Sequence, residues 1–112
     1  MTDKILPDGP DEAVQKMIDL TQECLALAVS EDEKITRNDM VQFAVNDENK
    51  GRAFAMYEQA AGEFHERMDS LQGKVNPTLI TELQRLQLQL REQAENNNMR
   101  LEQIEGLIQK DG

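Results

Sequence analysis

Several residue types are scarce in this chain of 112 residues, and each scarcity limits what the protein can be. There is one cysteine, Cys24, so no disulfide can form within the chain, which fits a reducing compartment. Tryptophan is absent and only 4% of the residues are aromatic. Hydrophobic residues make up 38% of the chain, which argues against a thick, compact core. Long, thin helix pairs suit such a composition, because each helix buries a single stripe.

Long apolar runs are also missing. Residues 1–7 do not contain the apolar segment of a signal peptide, and no stretch approaches the roughly 20 apolar residues that span a bilayer. The formal net charge of −10 disfavours nucleic acids and anionic membranes as direct partners. The length and composition therefore predict a single-domain cytoplasmic protein that binds neither nucleic acid nor membrane.

The residue types that carry catalysis or bind metals are not grouped in recognisable spacings. His65 is the only histidine, and it has no partner at a catalytic or metal-binding distance along the chain. Cys24 lies on an apolar stripe and is expected to be a small buried hydrophobe. The acidic runs at residues 31–33 and 47–48 are expected to be solvated surface. We therefore expect no enzyme, no cofactor and no metal site; a small enzyme or metal carrier is the least favoured interpretation.

The most regular pattern in the chain is a heptad seam with alternating spacings of three and four residues. Its members are Met40, Phe43, Asp47, Lys50, Phe54, Tyr57, Ala61, Phe64, Met68, Leu71 and Val75. The seam contains all the aromatic residues, and a helix of this length needs to bury such a stripe. The pattern predicts that this helix organises the fold, with the Asp47–Lys50 pair either at an exposed end of the seam or serving a function.

Capping and turn residues divide the chain into three helices. The predicted segments are a loose tail at residues 1–9 and helices at residues 10–35, 39–72 and 77–109. Pro10 and Pro77 suit first helical turns, Asp39 with Gln42 resembles a capping box, and Gly73 suits a helix end. The first helix has two apolar lines, which predict contact with two neighbours. Short connections make consecutive helices antiparallel, so the predicted fold is an all-α antiparallel three-helix bundle or elongated coiled-coil hairpin.

The last helix changes character along its length. Leucines dominate its first half, and Gln93, Asn97 and Arg100 then interrupt the seam. Polar seam residues often fix register, and a functional patch is the alternative. Beyond them the sequence is apolar again, at Leu101, Ile104, Leu107 and Ile108. This end could pack in the core, or it could receive a helix from a partner protein.

With these features the chain resembles the FlgN-type flagellar export chaperones. The resemblance covers roughly residues 14–109 and has two parts. The first is an acidic stretch, an aliphatic residue, a turn ending in Asp and a later Lys, here Glu31–Glu33, Ile35, Asp39 and Lys50. The second is a third helix that begins near a proline and contains leucines followed by an Asn and a Leu/Ile run. Here these residues are Pro77, Leu83, Leu86, Leu90, Asn97, Leu101, Ile104 and Ile108. Asn46 departs from the family pattern, which has an aliphatic residue there.

The resemblance implies a bacterial cytosolic chaperone that holds hook-associated proteins for type III export. It also implies that the C-terminal helix captures a helical client segment. By this carry-over the client-binding residues would be Asn97, Leu101, Ile104 and Ile108, and no cofactor would be involved. The alternative hypothesis is a structural coiled-coil module that forms homo-oligomers or serves as an adaptor without a chaperone role.

Overall fold

The computed structural model describes the backbone of residues 4–111 and the side chains of residues 4–103. Three long helices and one short helix follow in order: α1 (Pro10–Arg37), α2 (Met40–Glu66), α3 (Met68–Leu71) and α4 (Pro77–Asp111). The described residues contain no strand, and the predicted all-α bundle is confirmed. Among the same residues no helix is both long enough and apolar enough to cross a membrane.

A connection of two residues makes α2 antiparallel to α1. Asn38 ends α1 in the left-handed region, with φ 58°, which asparagine tolerates better than most residues. Asp39 then caps α2, since the backbone N–H of Gln42 donates to Asp39 Oδ1 at 3.1 Å. The cap predicted from the Asp39–Gln42 spacing is confirmed, and α1 continues two residues further than predicted.

The second reversal differs more from the prediction. The helix expected to reach residue 72 ends at Glu66, and after Arg67 the four-residue α3 follows. Gly73 turns the chain with φ 80°, and the side chain of Asn76 accepts a hydrogen bond from the Thr78 N–H at 3.0 Å. The chain then returns as α4, which lies parallel to α1.

Helix α1 is the centre of the bundle. It packs against α2 on one side and against α4 on the other, as its two apolar lines predicted. Its buried residues are Ala13, Val14, Met17, Ile18, Leu20, Thr21, Cys24, Ala28, Glu31 and Ile35. The largest core cluster joins the first five of these residues, Ala13 to Leu20, to Ala60 of α2 and to Leu83 and Leu86 of α4.

The prediction that the Met40–Val75 seam organises the fold is wrong. Met40 and Met68 are exposed, and the phenylalanines are only half-buried. The buried line of α2 consists instead of Asn46, Ala53 and Ala60. These residues are small, so α2 can approach α1 closely while the larger side chains lie along the edge of the contact.

Residues 4–9 are also more ordered than the predicted loose tail. Leu6 is 3% exposed and belongs to the main core cluster. The segment lies against the C-terminal end of α2, where Glu63 and Arg67 bind its main chain. Residues 1–3 of the predicted tail lie outside the described residues.

At the opposite end of the molecule α4 extends beyond its neighbours. Arg100 lies beside Asp32 and Thr36, and α1 ends at Arg37. Helix α4 has 35 residues and α1 has 28, so α4 is longer by about 10 Å, roughly two turns. The last turns of α4 therefore project past the end of α1 and the start of α2.

Candidate functional site

The side chains of three helices meet at one buried carboxylate, that of Glu31. Glu31 is 2% exposed, and Lys50 of α2 donates to its two oxygens at 3.0 and 2.9 Å. Asn97 of α4 donates to Glu31 Oε1 at 2.9 Å. We call Glu31, Lys50 and Asn97 the Glu31 centre; through it α2 and α4 are both bonded to the same residue of α1.

Asn97 uses its whole amide group inside the bundle. Its Nδ2 also donates to the carbonyl oxygen of Ala28 at 2.8 Å, and its Oδ1 accepts from Gln93 Nε2 at 3.0 Å. The residue is 1% exposed, so in this structure its side chain faces the core and not a client. The polar seam residues Gln93, Asn97 and Arg100 were expected either to fix the register of α4 or to form a functional patch. The geometry of Asn97 favours the first interpretation.

Further polar contacts surround the Glu31 centre. Asn46, the residue that departs from the family pattern, donates from Nδ2 to the carbonyl oxygen of Leu27 at 3.1 Å. Arg100 Nε lies 2.8 Å from Asp32 Oδ1, in the geometry of an ion pair without a directed hydrogen bond. The Lys50 ammonium also lies 5.7 Å from the centre of the Phe54 ring, within cation–π distance.

The remaining predicted site residues fall in different environments. Leu101 is half-buried on α4, and Ile104 and Ile108 lie on the same helix but outside the residues whose side chains are described. The Asp47–Lys50 pair is divided: Asp47 is exposed, whereas Lys50 binds Glu31. Among the predicted client residues whose side chains are described, Asn97 points inward and Leu101 is half-buried.

Half of the large exposed apolar side chains among the described residues lie towards the end from which α4 projects. Met40, Val41 and Val45 are exposed in the first turns of α2, and Val41 reaches 73% exposure. Met99 is exposed on α4, directly before Arg100, which lies beside the last turns of α1. Apolar side chains grouped at one exposed end are typical of a protein-binding surface. We call these four residues the apolar rim.

The role of Glu31 was missed in the sequence, because residues 31–33 were expected to be solvated surface. A signal was available. Glu31 continues the three-and-four spacing of the buried line in α1, which is Met17, Thr21, Cys24, Ala28, Glu31 and Ile35. A carboxylate at a seam position predicts a buried partner on a neighbouring helix.

No three of the described histidine, cysteine or acidic side chains are grouped so that they could hold a metal ion. Burial raises the pKa of the Cys24 thiol to about 11, and the nearby Glu23 carboxylate adds to the shift. The thiol is therefore protonated near neutral pH and weakly nucleophilic. What the Glu31 centre can do is hold α2 and α4 in fixed positions on α1.

Family models, curated proteins and solved structures contain no match to this chain.

Proposed function

We propose that the protein is a cytoplasmic chaperone for type III flagellar export, which captures a helical segment of hook-associated proteins. The observation that carries the proposal is the projection of α4 beyond α1, beside the apolar rim. The projecting turns contain Leu107 and Ile108, and Ile104 lies directly before them on α4, close to the end of α1. The resemblance to the FlgN-type chaperones places client capture on this same helix.

Capture of a helix would cover the apolar residues that the bundle leaves uncovered. A client helix lying against the end of α4 could contact Leu101 and the projecting turns on one side and the exposed Met40, Val41 and Val45 of α2 on the other. The rim contains Met40 and Met99, and methionine adapts to differently shaped partners because it is unbranched and flexible. Such capture needs neither a catalytic step nor a cofactor.

The Glu31 centre supports this proposal in an indirect way. Client binding is assigned to Leu101, Ile104 and Ile108, and Asn97 becomes a positioning residue. By bonding to Glu31 and Ala28, Asn97 fixes α4 one turn before Leu101. The base of the projecting segment is then rigid, so that less conformational freedom is lost when a client binds.

The test is a pair of variants of α4 titrated with purified hook-associated proteins of the same organism. In one variant Leu101 and Ile104 are both changed to Asp; in the matched control the exposed Leu88 is changed to Asp. The double variant should bind about 100-fold more weakly, since it loses two apolar anchors. The control should bind like the original chain.

Circular dichroism separates a binding defect from unfolding in these variants. The proposal requires that the double variant keeps its helicity. Binding that survives both substitutions, or an equal loss in the Leu88→Asp variant, would show that the projecting segment of α4 is not the client site.

The alternative is a coiled-coil module that forms homo-oligomers through the same end. The apolar rim favours it, because a second copy of the chain could cover these residues as well as a client could. The net charge of −10 opposes it, since like-charged copies repel. Sedimentation equilibrium across a wide concentration range decides: a stable oligomer that is lost on changing Leu101 and Ile104 to Asp favours this alternative.

A further inference from the structure

The N-terminal segment is held by the acidic Glu63 in the last turn of α2 and by the basic Arg67, which directly follows that helix. The carboxylate of Glu63 accepts hydrogen bonds from the backbone N–H of Ile5, at 3.1 and 3.0 Å, and from that of Leu6, at 3.1 Å. Arg67 donates to the carbonyl oxygens of Pro7, at 2.7 Å, and Asp8, at 2.9 Å. Four consecutive residues are thus bound through their main chain.

These contacts depend little on the side chains of the bound segment. Glu63 binds two backbone donors and Arg67 binds two backbone acceptors, and these groups occur in almost any extended chain. Proline suits its position, because only its carbonyl oxygen is used. The side chain that does matter is that of Leu6, which is 3% exposed and packs in the main core cluster.

We propose that Glu63, Arg67 and the apolar site of Leu6 form a binding site for an extended peptide with a leucine, after which a proline is tolerated. In the free protein, residues 5–8 fill this site. An extended segment of another protein with the same chemistry can replace them. The site lies at the C-terminal end of α2, far from the apolar rim at its N-terminal end, and it is independent of the proposed capture of a helix.

The short connection between residues 5–8 and α1 determines how much competing peptide is needed to displace these residues. Residues 5–8 are joined to α1 through Gly9 alone, so the site experiences its own segment at an effective concentration in the millimolar range. A free peptide must reach similar concentrations to compete. A partner that binds elsewhere on the protein at the same time would gain the same advantage from its own tether.

The first experiment uses the unaltered chain and a synthetic peptide with the sequence of residues 4–9. Hydrogen exchange at the amides of Ile5 and Leu6 is followed by NMR as the peptide is added. At about 5 mM peptide these amides should exchange about threefold faster, because their own segment is displaced. A peptide with Asp in place of the leucine should have no effect. Unchanged exchange at 5 mM, or equal acceleration by both peptides, would overturn the proposal.

The second experiment weakens the competing segment by changing Leu6 to Ala in the full chain. Fluorescence anisotropy with the labelled peptide should give binding about tenfold tighter than to the unaltered chain. Adding Arg67→Gln to this variant should weaken binding again by about tenfold, since two hydrogen bonds to the peptide are lost. Equal affinity for the unaltered chain and the Leu6→Ala variant would place the peptide elsewhere and refute the site. If the variant does not fold, the exchange experiment decides alone.

Discussion

Two carboxylates hold segments of this protein in place, and they do so in opposite ways. Glu31 of α1 is buried where α1, α2 and α4 meet, and its partners are side chains from α2 and α4. Glu63 is half-buried at the edge of α2, and its partners are main-chain N–H groups of residues 5 and 6. Glu31 thus requires particular residues as partners, whereas Glu63 accepts any extended backbone.

Because Glu31 is buried and Glu63 is half-buried, we expect the contacts of Glu31 to persist in the folded state and those of Glu63 to be releasable. A buried charge that loses its partner has no water to replace it, so the Glu31 centre must stay intact in the folded state. A half-buried carboxylate exchanges a backbone N–H for water at little cost. The molecule therefore has one end where α4 is fixed before it projects. At the other end the hydrogen bonds of the segment are easily exchanged, and the buried Leu6 is what holds it against the proposed replacement.

The largest effect should come from changing Lys50 to Met, which leaves Glu31 buried without its cation. We expect the free energy of unfolding in urea to fall by about 3 kcal/mol, because the remaining buried charge is uncompensated. The exposed Arg52 on the same helix provides the control, and Arg52→Met should change stability by less than about 0.5 kcal/mol. A loss below about 1 kcal/mol for Lys50→Met would mean that water reaches Glu31 and that the centre is not rigid.

A smaller loss is expected from Asn97→Ala, which removes the hydrogen bonds from α4 to Glu31 and to Ala28. Stability should fall by about 2 kcal/mol, since two buried acceptors lose a donor. The neighbouring Asn98 is exposed, and Asn98→Ala should have almost no effect. If the two variants unfold at the same urea concentration, Asn97 does not position α4.

The smallest effect on global stability should come from Glu63→Gln. Hydrogen bonds from the Ile5 N–H, and then from the Leu6 N–H, lower the pKa of Glu63 below its usual value near 4.5. A lowered pKa in the folded state stabilises the segment above that usual value, and the stabilisation is lost as the pH falls through the lowered pKa. The amide resonances of Ile5 and Leu6 should therefore shift with acid in the original chain.

In the Glu63→Gln variant the same resonances should not titrate, while the urea midpoint changes little. The amides of Ile5 and Leu6 should also exchange faster in the variant at neutral pH. Titration of these amides in the variant, with the same midpoint as in the original chain, would mean that another group holds the segment.

Local signals in the sequence identified much of the fold. The two apolar lines of α1, the cap at Asp39 and the turn at Gly73 each depend on a few neighbouring residues, so their meaning can be read without the rest of the chain. The position of α2 depends on its partner instead. Its aromatic seam looked like the buried face, but the small residues Ala53 and Ala60 allow a closer approach to α1 and therefore take that place.

The candidate site could be predicted in part. The polar interruption at Asn97 was visible, but its partner Glu31 lies 66 residues earlier, and only the packing of α4 on α1 brings the two together. Glu63 and Arg67 carried no signal at all. Surface charges one turn apart on a helix are common, and nothing in the sequence indicates that they bind residues 5–8.

The central position of α1 has a consequence for how the chain is made. The helix that needs two partners, α1, is synthesised before both of them, and α4, which covers its second face, is synthesised after α2. Cys24 lies in a cluster with Ala53 of α2 and Leu90 of α4, so it becomes fully buried only when both helices have packed. Its thiol can be alkylated in an open chain, so pulsed alkylation during refolding reports when Cys24 becomes buried. Cys24 should become protected only once α4 has docked. Earlier protection would mean that α1 and α2 bury it by themselves.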